Sequence, residues 1–297
     1  MTYAEAVAAF ERLEDRGDAT VATECRSMLL GHGEPREQAF VLLHGLTSSP
    51  PQFSAFAHSL HERGHNVLVP RLPRHGDRDR LTNTLRDFSI GELVRVAETS
   101  LQVARALGTR VTVAGFSVGG LLAAWLAQHH TFEHAIAISP FLGVVGLPHE
   151  LTPLTVKILR RLPNGFVYWH PIERERLLPA HGYPRVATRA VAASLDLAST
   201  LLREAASSPP KTRRITLALN AREAAVNNRT ALHLAALWEE GGTPVTRHTL
   251  RGLPPSHDII EPLRNPRIAA RAHAMLLPLL ERRNGLVGVG SEPSPTT

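Results

Sequence analysis

The chain lacks the sequence features that build disulfides, membrane spans or cysteine-bound metal sites. Cys25 is the only cysteine among 297 residues, which excludes an internal disulfide framework and a multi-cysteine metal site. No apolar run reaches the ~18–20 residues that a membrane-spanning helix needs. The first residues also lack the basic and then apolar pattern of a secretory signal. These absences predict a cytoplasmic protein that does not insert stably into a membrane.

Lysine is also scarce, and arginine carries almost all of the positive charge. The formal net charge is +6, and Lys157 and Lys211 are the only lysines. The arginines are scattered, with no run longer than two. A nucleic-acid-binding surface gathers its basic residues on one stripe with aromatic residues between them. The charge pattern therefore indicates a solvated surface and no nucleic-acid partner.

Hydrophobic residues form 43% of the chain, which is enough for a sizeable core. Short apolar runs alternate with helical patterns, as is typical of an α/β protein with a parallel sheet. The pattern predicts strands at 26–30, 38–43, 66–70, 110–115, 135–139, 214–219 and 244–250. It predicts helices at 2–16, 51–63, 89–107, 121–129, 228–240 and 265–282.

The alternation of strands and helices stops after Pro140 and resumes near residue 211. The segment between these points contains eight prolines and several helical stretches, but no clear strand. We interpret 141–210 as a helical cap inserted into a core formed by 1–140 and 211–283. The tail at 284–297 is rich in Gly, Ser, Pro and Thr and is predicted to be flexible.

The motif that carries chemistry is Gly115-Phe116-Ser117-Val118-Gly119, which follows a predicted strand and precedes a predicted helix. This is the context that a G-x-S-x-G nucleophile requires. The serine occupies a tight, strained turn that exposes its hydroxyl, and the glycines remove Cβ atoms that would clash there. The helix directs its N-terminus at the site and favours developing negative charge. Ser117 is therefore the candidate nucleophile.

A serine nucleophile needs backbone N–H groups directed at the oxyanion. The residue after the nucleophile, Val118, supplies one candidate. His44-Gly45-Leu46-Thr47 follows an earlier predicted strand, where Gly45 lets the backbone turn its amides inward. The Leu46 N–H is the second candidate donor, and His44 is expected to be a structural member of this loop.

Position in the fold selects the base and the acid, because ten histidines follow Ser117. His257 lies in the loop after the last predicted strand, whereas His233, His248 and His273 lie inside predicted elements. Glu223 is the carboxylate in the loop after the strand at 214–219. Glutamate can orient a catalytic imidazole as aspartate does. Two alternative acids remain, namely Asp196 in a predicted cap helix and Asp258 beside His257.

Four segments together resemble the monoacylglycerol lipase and carboxylesterase branch of the α/β-hydrolase superfamily. They are His44-Gly45-Leu46-Thr47-Ser48-Ser49-Pro50, Pro70-Arg71-Leu72-Pro73-Arg74-His75-Gly76, the Gly115–Gly120 turn and Ser256-His257-Asp258. The resemblance covers roughly residues 38–282. It implies a mostly parallel eight-stranded sheet flanked by helices, a helical cap after the sixth strand, and hydrolysis of acyl esters without a cofactor or metal.

The resemblance assigns the nucleophile, acid and base to Ser117, Glu223 and His257, and the oxyanion donors to Leu46 and Val118. Relatives usually carry Asp in place of Glu223. Arg74 departs from the usual Pro-Gly-His-Gly and puts a cation near the site, which leaves a negatively charged substrate as an alternative.

Apolar residues of the cap region are expected either to line an acyl pocket or to form the core of the cap. Phe116, Phe141 and Leu142 are the residues predicted to contact the substrate, and the other candidates are Val144, Val145, Leu147, Leu151, Leu154 and Ile158.

Four alternatives share this fold. The acyl group could pass to an alcohol, or arrive as a thioester or an amide. A non-catalytic binding module would be expected to lack one member of the Ser-Glu-His set.

Overall fold

The computed structural model describes residues 1–14, 19–169 and 181–281. In chain order the strands are β1 (Met28–Leu30), β2 (Arg36–Leu43), β3 (Asn66–Val69), β4 (Gly108–Phe116), β5 (His134–Ile138), β6 (Phe166–Tyr168), β7 (Arg185–Ala187), β8 (Ile215–Asn220) and β9 (Val245–Leu250). The helices are α1 (Tyr3–Glu14), α2 (Ser54–Glu62), α3 (Ile90–Leu107), α4 (Val118–His129), α5 (Thr152–Arg161), α6 (Thr188–Ala205), α7 (Asn228–Glu240) and α8 (Pro266–Glu281).

Seven of these strands form one twisted sheet in the order β1-β3-β2-β4-β5-β8-β9. β1 is antiparallel to β3, and all other neighbours are parallel. The predicted α/β class and mostly parallel sheet are therefore confirmed. The expected eighth strand is not found in the described part of the chain. The chain before β1 forms the amphipathic helix α1 and a short 3-10 turn at Thr23–Cys25 instead.

Helices cover both faces of the sheet, and side chains alternate between the two faces as the pleat requires. Along β2, Val41 and Leu43 join the core layer under α1, α3, α4, α6 and α7. Phe40 and Leu42 point the other way, into the layer under α2 and α8. Buried strands of this kind read as continuous apolar runs, because both of their faces are covered.

The region between β5 and β8 contains α5, a two-stranded antiparallel ribbon and α6. Val186 and Ala190 belong to a small separate core that also includes Tyr183 and Leu85. Farther along α6, Leu201 lies in the main core. Helix α6 therefore packs in both the small core and the main core, so the predicted cap range of 141–210 includes residues that pack with the sheet. The predicted flexible tail at 284–297 lies outside the described residues.

The carboxyl ends of the parallel strands meet at one edge of the sheet. The register pairs Leu43 with Gly115 and Phe116 with Ile138, so β2, β4 and β5 end side by side. Loops that follow these strands are consequently close to one another, as is usual for ligand sites in open α/β sheets. Across the described ranges, no helix has both the length and the apolar character needed to cross a bilayer.

Candidate active site

Ser117 lies at the turn between β4 and α4, where its backbone adopts a strained conformation. Its φ is 55° and its ψ is −114°, values that non-glycine residues rarely adopt. A Cβ on Gly115 would overlap the carbonyl group of Gly119, and a Cβ on Gly119 would overlap that of Leu43. Both glycines are therefore required by the close packing of this turn.

Backbone hydrogen bonds attach the Ser117 turn to the end of β5. The Ser117 N–H donates to the carbonyl oxygen of Ile138 at 3.0 Å, and the Ser117 carbonyl oxygen accepts from the Phe141 N–H at 2.9 Å. Its side chain stands at the N-terminus of α4 and is 7% exposed. The first N–H groups of a helix have no partner within the helix, and the helix dipole favours negative charge at this end.

His257 lies in the loop after β9 and reaches Ser117. Its Nε2 is 2.8 Å from Ser117 Oγ. The imidazole packs against Phe116, with the ring centroids 5.0 Å apart. Phe116 is 1% exposed, so it supports the imidazole and presents almost no surface to a substrate. This burial argues against the predicted contact of Phe116 with a substrate, and the ring packs against His257 instead.

Glu223 lies in the loop after β8 and reaches the other nitrogen of His257. Its Oε2 is 3.1 Å from His257 Nδ1. Its Oε1 accepts hydrogen bonds from the N–H groups of Ala224, Ala225 and Val226. Burial raises the pKa of this carboxyl, but the hydrogen bonds to His257 and to the backbone outweigh burial, and the net pKa is lowered. Glu223 is therefore held as a carboxylate against the imidazole.

The two alternative acids have other partners. Asp196 lies on α6 and pairs with Arg160 at 2.8 Å. Asp258 Oδ1 is 3.3 Å from Gln52 Nε2, and burial raises the pKa of Asp258 to about 6 with help from the neighbouring charge of Glu261. Neither Asp196 nor Asp258 therefore has His257 Nδ1 as its hydrogen-bond partner, whereas Glu223 does.

The histidines set aside on sequence position lie inside secondary structure. His233 is on α7 and packs against His149 at a tilt, His248 is within β9, and His273 is on α8 against Phe56.

The loop after β2 passes beside Ser117. An added Cβ on Gly45 would lie 3.4 Å from Ser117 Cβ, so the backbone approaches the serine closely. Leu46 follows, half-buried between the main core and the small cap core. Its N–H and that of Val118, the first residue of α4, stay the two candidate oxyanion donors.

Two cap residues hold this loop, and sequence reasoning did not identify either contact. The Tyr183 N–H donates to the Thr47 carbonyl oxygen at 2.7 Å. Trp169 Nε1 donates to Thr47 Oγ1 at 2.9 Å. Thr47 itself has a φ of 68°. These contacts span more than a hundred residues, so no local sequence pattern could have indicated them.

His44 has the structural role that was expected of it. Its Nε2 accepts a hydrogen bond from the Leu72 N–H at 3.0 Å, which fastens the end of β2 to the loop after β3. Burial, and then the nearby His75, lower the pKa of His44 well below its ordinary value. The ring is consequently neutral, as an acceptor of this N–H must be.

Arg74 does not present a free cation at the site. Its Nε lies 3.7 Å from Glu92 Oε2, and its carbonyl oxygen accepts a hydrogen bond from the Tyr183 hydroxyl.

The apolar residues predicted to form a pocket occupy three environments. Leu142 is 1% exposed and belongs to the main core, so it offers almost no surface to a ligand. Phe141 is half-buried beside Ser117. Four others are about half exposed to solvent, namely Val145, Leu151, Leu154 and Ile158. This exposure fits neither an enclosed pocket nor a cap core.

The strand order, the strained Ser117 turn after the central strand and the histidine after the last strand are typical of the α/β-hydrolase class. A family model described as the alpha/beta hydrolase family matches residues 40–283. The match covers most of the chain, and the protein belongs to this family.

Solved structures agree with this assignment at the level of the fold. A structure of a metagenome-derived lipolytic enzyme, from work on LipS and LipT, has a TM-score of 0.64 at 16% identity, covering 86% of this chain and 97% of the other. A monoacylglycerol lipase from Paleococcus ferrophilus has a TM-score of 0.63 at 17% identity, with 86% and 97% coverage.

A soluble variant of monoglyceride lipase from Saccharomyces cerevisiae, in complex with a substrate analogue, has a TM-score of 0.59 at 12% identity, with 86% and 90% coverage. No curated protein sequence matches the chain.

Proposed function

We propose that this protein is a serine hydrolase that cleaves carboxylic esters through an acyl-enzyme on Ser117. One observation carries the proposal. A continuous chain of contacts runs from Ser117 Oγ to His257 Nε2 at 2.8 Å and from His257 Nδ1 to Glu223 Oε2 at 3.1 Å. Nucleophile, base and orienting acid at such distances are the arrangement that activates a serine hydroxyl.

In the first half of the reaction, His257 Nε2 accepts the Ser117 proton while Oγ attacks the ester carbonyl carbon. The carbonyl oxygen becomes an oxyanion, which the N–H groups of Leu46 and Val118 would stabilise. His257 then gives its proton to the departing alcohol as the C–O bond breaks. The acyl group remains on Ser117.

In the second half, His257 removes a proton from water, and the resulting hydroxide attacks the acyl-enzyme. The collapse of the second oxyanion releases the carboxylic acid and returns the proton to Ser117. Each step passes through an imidazolium, which the carboxylate of Glu223 stabilises. The lowered pKa of Glu223 supports this role, because the carboxylate then stays charged next to the imidazolium.

The site favours an uncharged acyl ester. The cation of Arg74 pairs with Glu92, which argues against the recognition of an anionic substrate by that arginine. Two half-buried apolar residues belong to segments that contact the Ser117 turn. Phe141 donates its N–H to the Ser117 carbonyl oxygen, and Leu46 follows Gly45 in the loop beside the serine. Carboxylesterase activity, or activity on monoacylglycerols or lysophospholipids, is consistent with these surroundings and with the lipolytic neighbours in structure.

The test is hydrolysis of p-nitrophenyl esters of increasing acyl length, together with labelling by a fluorophosphonate probe. Ser117→Ala is expected to abolish labelling and to lower kcat by several orders of magnitude, because the nucleophile acts as part of one unit with its base. Ser100→Ala is the matched control, since Ser100 is a fully buried serine on α3.

Two results would change the proposal. If Ser117→Ala keeps more than a tenth of the wild-type rate, the mechanism is wrong. If the folded wild-type protein is neither labelled nor active on any ester, a binding module on the same fold is favoured instead. A product assay with added alcohol separates ester hydrolysis from acyl transfer. Parallel assays with thioester and amide substrates separate ester hydrolysis from thioester and amide hydrolysis.

A further inference from the structure

Gln52 is a buried glutamine that connects the two loops on either side of the candidate nucleophile. It lies in the 3-10 turn Pro50–Phe53 that precedes α2, and its side chain is 2% exposed. Its Oε1 accepts a hydrogen bond from the Gly45 N–H at 2.9 Å. Its Nε2 is 3.3 Å from Asp258 Oδ1. One side chain thus spans from the Gly45-Leu46 loop to the residue after His257.

The chemistry of the two ends fixes the orientation of the amide. A backbone N–H can only donate, so the atom of Gln52 that faces Gly45 must be the oxygen. The NH2 group is then directed at Asp258, whose carboxylate oxygen accepts. Both contacts depend on the amide, because a carboxylate could not donate to Asp258 and an apolar side chain would leave the buried Gly45 N–H without a partner.

We propose that Gln52 is a positioning residue that holds the oxyanion loop and the histidine loop in register with each other. The inference rests on the proposed function, because it assigns Leu46 to the oxyanion site and His257 to the base. Fixing the Gly45 amide fixes the peptide plane before Leu46, whose N–H must be directed at the oxyanion. Binding Asp258 at the same time constrains the loop that places His257 against Ser117.

The chain offers a matched control for this bridge. Gln128 on α4 is also buried, and its amide also spans two elements, accepting from Trp238 Nε1 at 2.7 Å and donating to the Ser208 carbonyl oxygen at 3.0 Å. It lies ten residues beyond the first residue of α4, roughly 15 Å from the site along the helix axis. A comparison of the two glutamines therefore separates the general effect of losing a buried amide bridge from the specific effect of losing the Gln52 bridge.

Gln52→Leu is expected to lower kcat for a p-nitrophenyl ester by about tenfold to hundredfold with little change in KM, because small displacements of catalytic groups have effects of this size. Gln128→Leu is expected to lower the melting temperature without lowering kcat. If the two variants lose stability alike and both keep the wild-type kcat, the inference is overturned.

A charge exchange tests the contact with Asp258 specifically. Gln52→Glu keeps an acceptor for Gly45 but sets a carboxylate against Asp258, so we expect a loss of kcat. Adding Asp258→Asn restores the hydrogen bond with its direction reversed, because the new asparagine amide can donate to the new carboxylate at position 52. Relative to Gln52→Glu alone, kcat is expected to recover at least about fivefold, since such a pair is coupled. A double variant that is no better than Gln52→Glu alone contradicts the proposed bridge.

Hydrogen exchange of the Gly45 amide, followed by mass spectrometry on the folded protein, gives a readout that does not require activity. Exchange at this amide is expected to accelerate in Gln52→Leu and to be unchanged in Gln128→Leu. If exchange accelerates in Gln52→Leu but the wild-type protein hydrolyses no ester, the bridge is supported and the proposed function is wrong. Unchanged exchange overturns the bridge, whether or not the wild-type protein is active.

Discussion

Replacing Glu223 with glutamine tests its proposed role as the acid of the site. The Oε1 atom accepts from three consecutive backbone N–H groups, and Oε2 faces His257 Nδ1 at 3.1 Å. A glutamine in this place keeps its oxygen on the three N–H donors, because its NH2 group cannot accept from them. The NH2 group then faces Nδ1 and favours the imidazole tautomer that carries its proton on Nε2.

That tautomer cannot accept the proton of Ser117. An aspartate-to-asparagine change with the same effect in a serine protease lowers kcat about 10⁴-fold, which is about 5 kcal/mol at 1.36 kcal/mol per tenfold. We therefore expect Glu223→Gln to lose roughly 10³- to 10⁴-fold in kcat by the same reasoning. Glu223→Asp withdraws the carboxylate by one C–C bond, roughly 1.5 Å, and is expected to lose about 10²-fold.

The assay is kcat and KM on a p-nitrophenyl ester, with thermal unfolding to establish that each variant is folded. Glu240→Gln supplies the same chemical change at an exposed position on α7 and is expected to keep the wild-type kcat. Asp196→Asn tests the alternative acid on α6. A Glu223→Gln variant that retains more than a tenth of the wild-type kcat refutes the assignment of the acid, and a large loss in Asp196→Asn would transfer the role to that residue.

Two further substitutions test burial and close packing. Burial and the Glu261 charge raise the pKa of Asp258 to about 6. The folded protein therefore favours the neutral acid more than the unfolded chain does. Asp258→Asn is expected to increase the free energy of unfolding at pH 8 by up to about 3 kcal/mol, as measured by denaturant titration. The increase should disappear as the pH falls from 6 to 4, because the aspartic acid then becomes neutral in the wild-type protein as well. An increase that does not depend on pH contradicts the charge argument. Gly119→Ala drives a methyl group into the Leu43 carbonyl and is expected to cost about 3 kcal/mol or more, whereas Gly165→Ala meets nothing nearby and should leave the melting temperature almost unchanged.

The sheet and its helices were largely predictable, because their signals are local. Helix α7 begins and ends at the predicted residues 228 and 240, where an Asn side chain caps its start and two glycines follow its end. The predicted strand at 135–139 and the observed β5 differ by one residue at each end. Buried parallel strands are short apolar runs between turn residues, and this composition is visible without knowledge of the fold.

The cap was less predictable, because its structure depends on contacts that are distant in sequence. The antiparallel pairing of β6 with β7 joins two three-residue strands, which are too short to give a periodic pattern. The exposure of Leu154 and Ile158 on α5 could not be read from their apolar character. The bridge from Gln52 to Asp258 links residues 206 positions apart, and nothing in the local sequence marks either as a partner of the other.

Backbone strain is concentrated at the edge of the sheet where the candidate site lies. Within the described residues, positive φ at non-glycine positions occurs at Thr47, Arg74, Ser117 and Ser139, with values of 68°, 70°, 55° and 38°. These residues follow β2, β3, β4 and β5, so each of four adjacent strands ends in a strained turn.

Such conformations cost on the order of 1–3 kcal/mol each and persist only where the surroundings hold them. Tyr183 of the cap contributes to holding two of the four. Its N–H donates to the Thr47 carbonyl oxygen at 2.7 Å, and its hydroxyl donates to the Arg74 carbonyl oxygen at 3.3 Å. The predicted cap is therefore connected to two of the strained turns at this edge of the sheet. Through Tyr183 it fixes the backbone on which the candidate oxyanion donor Leu46 depends, so the geometry of the site and the docking of the cap are expected to be lost together.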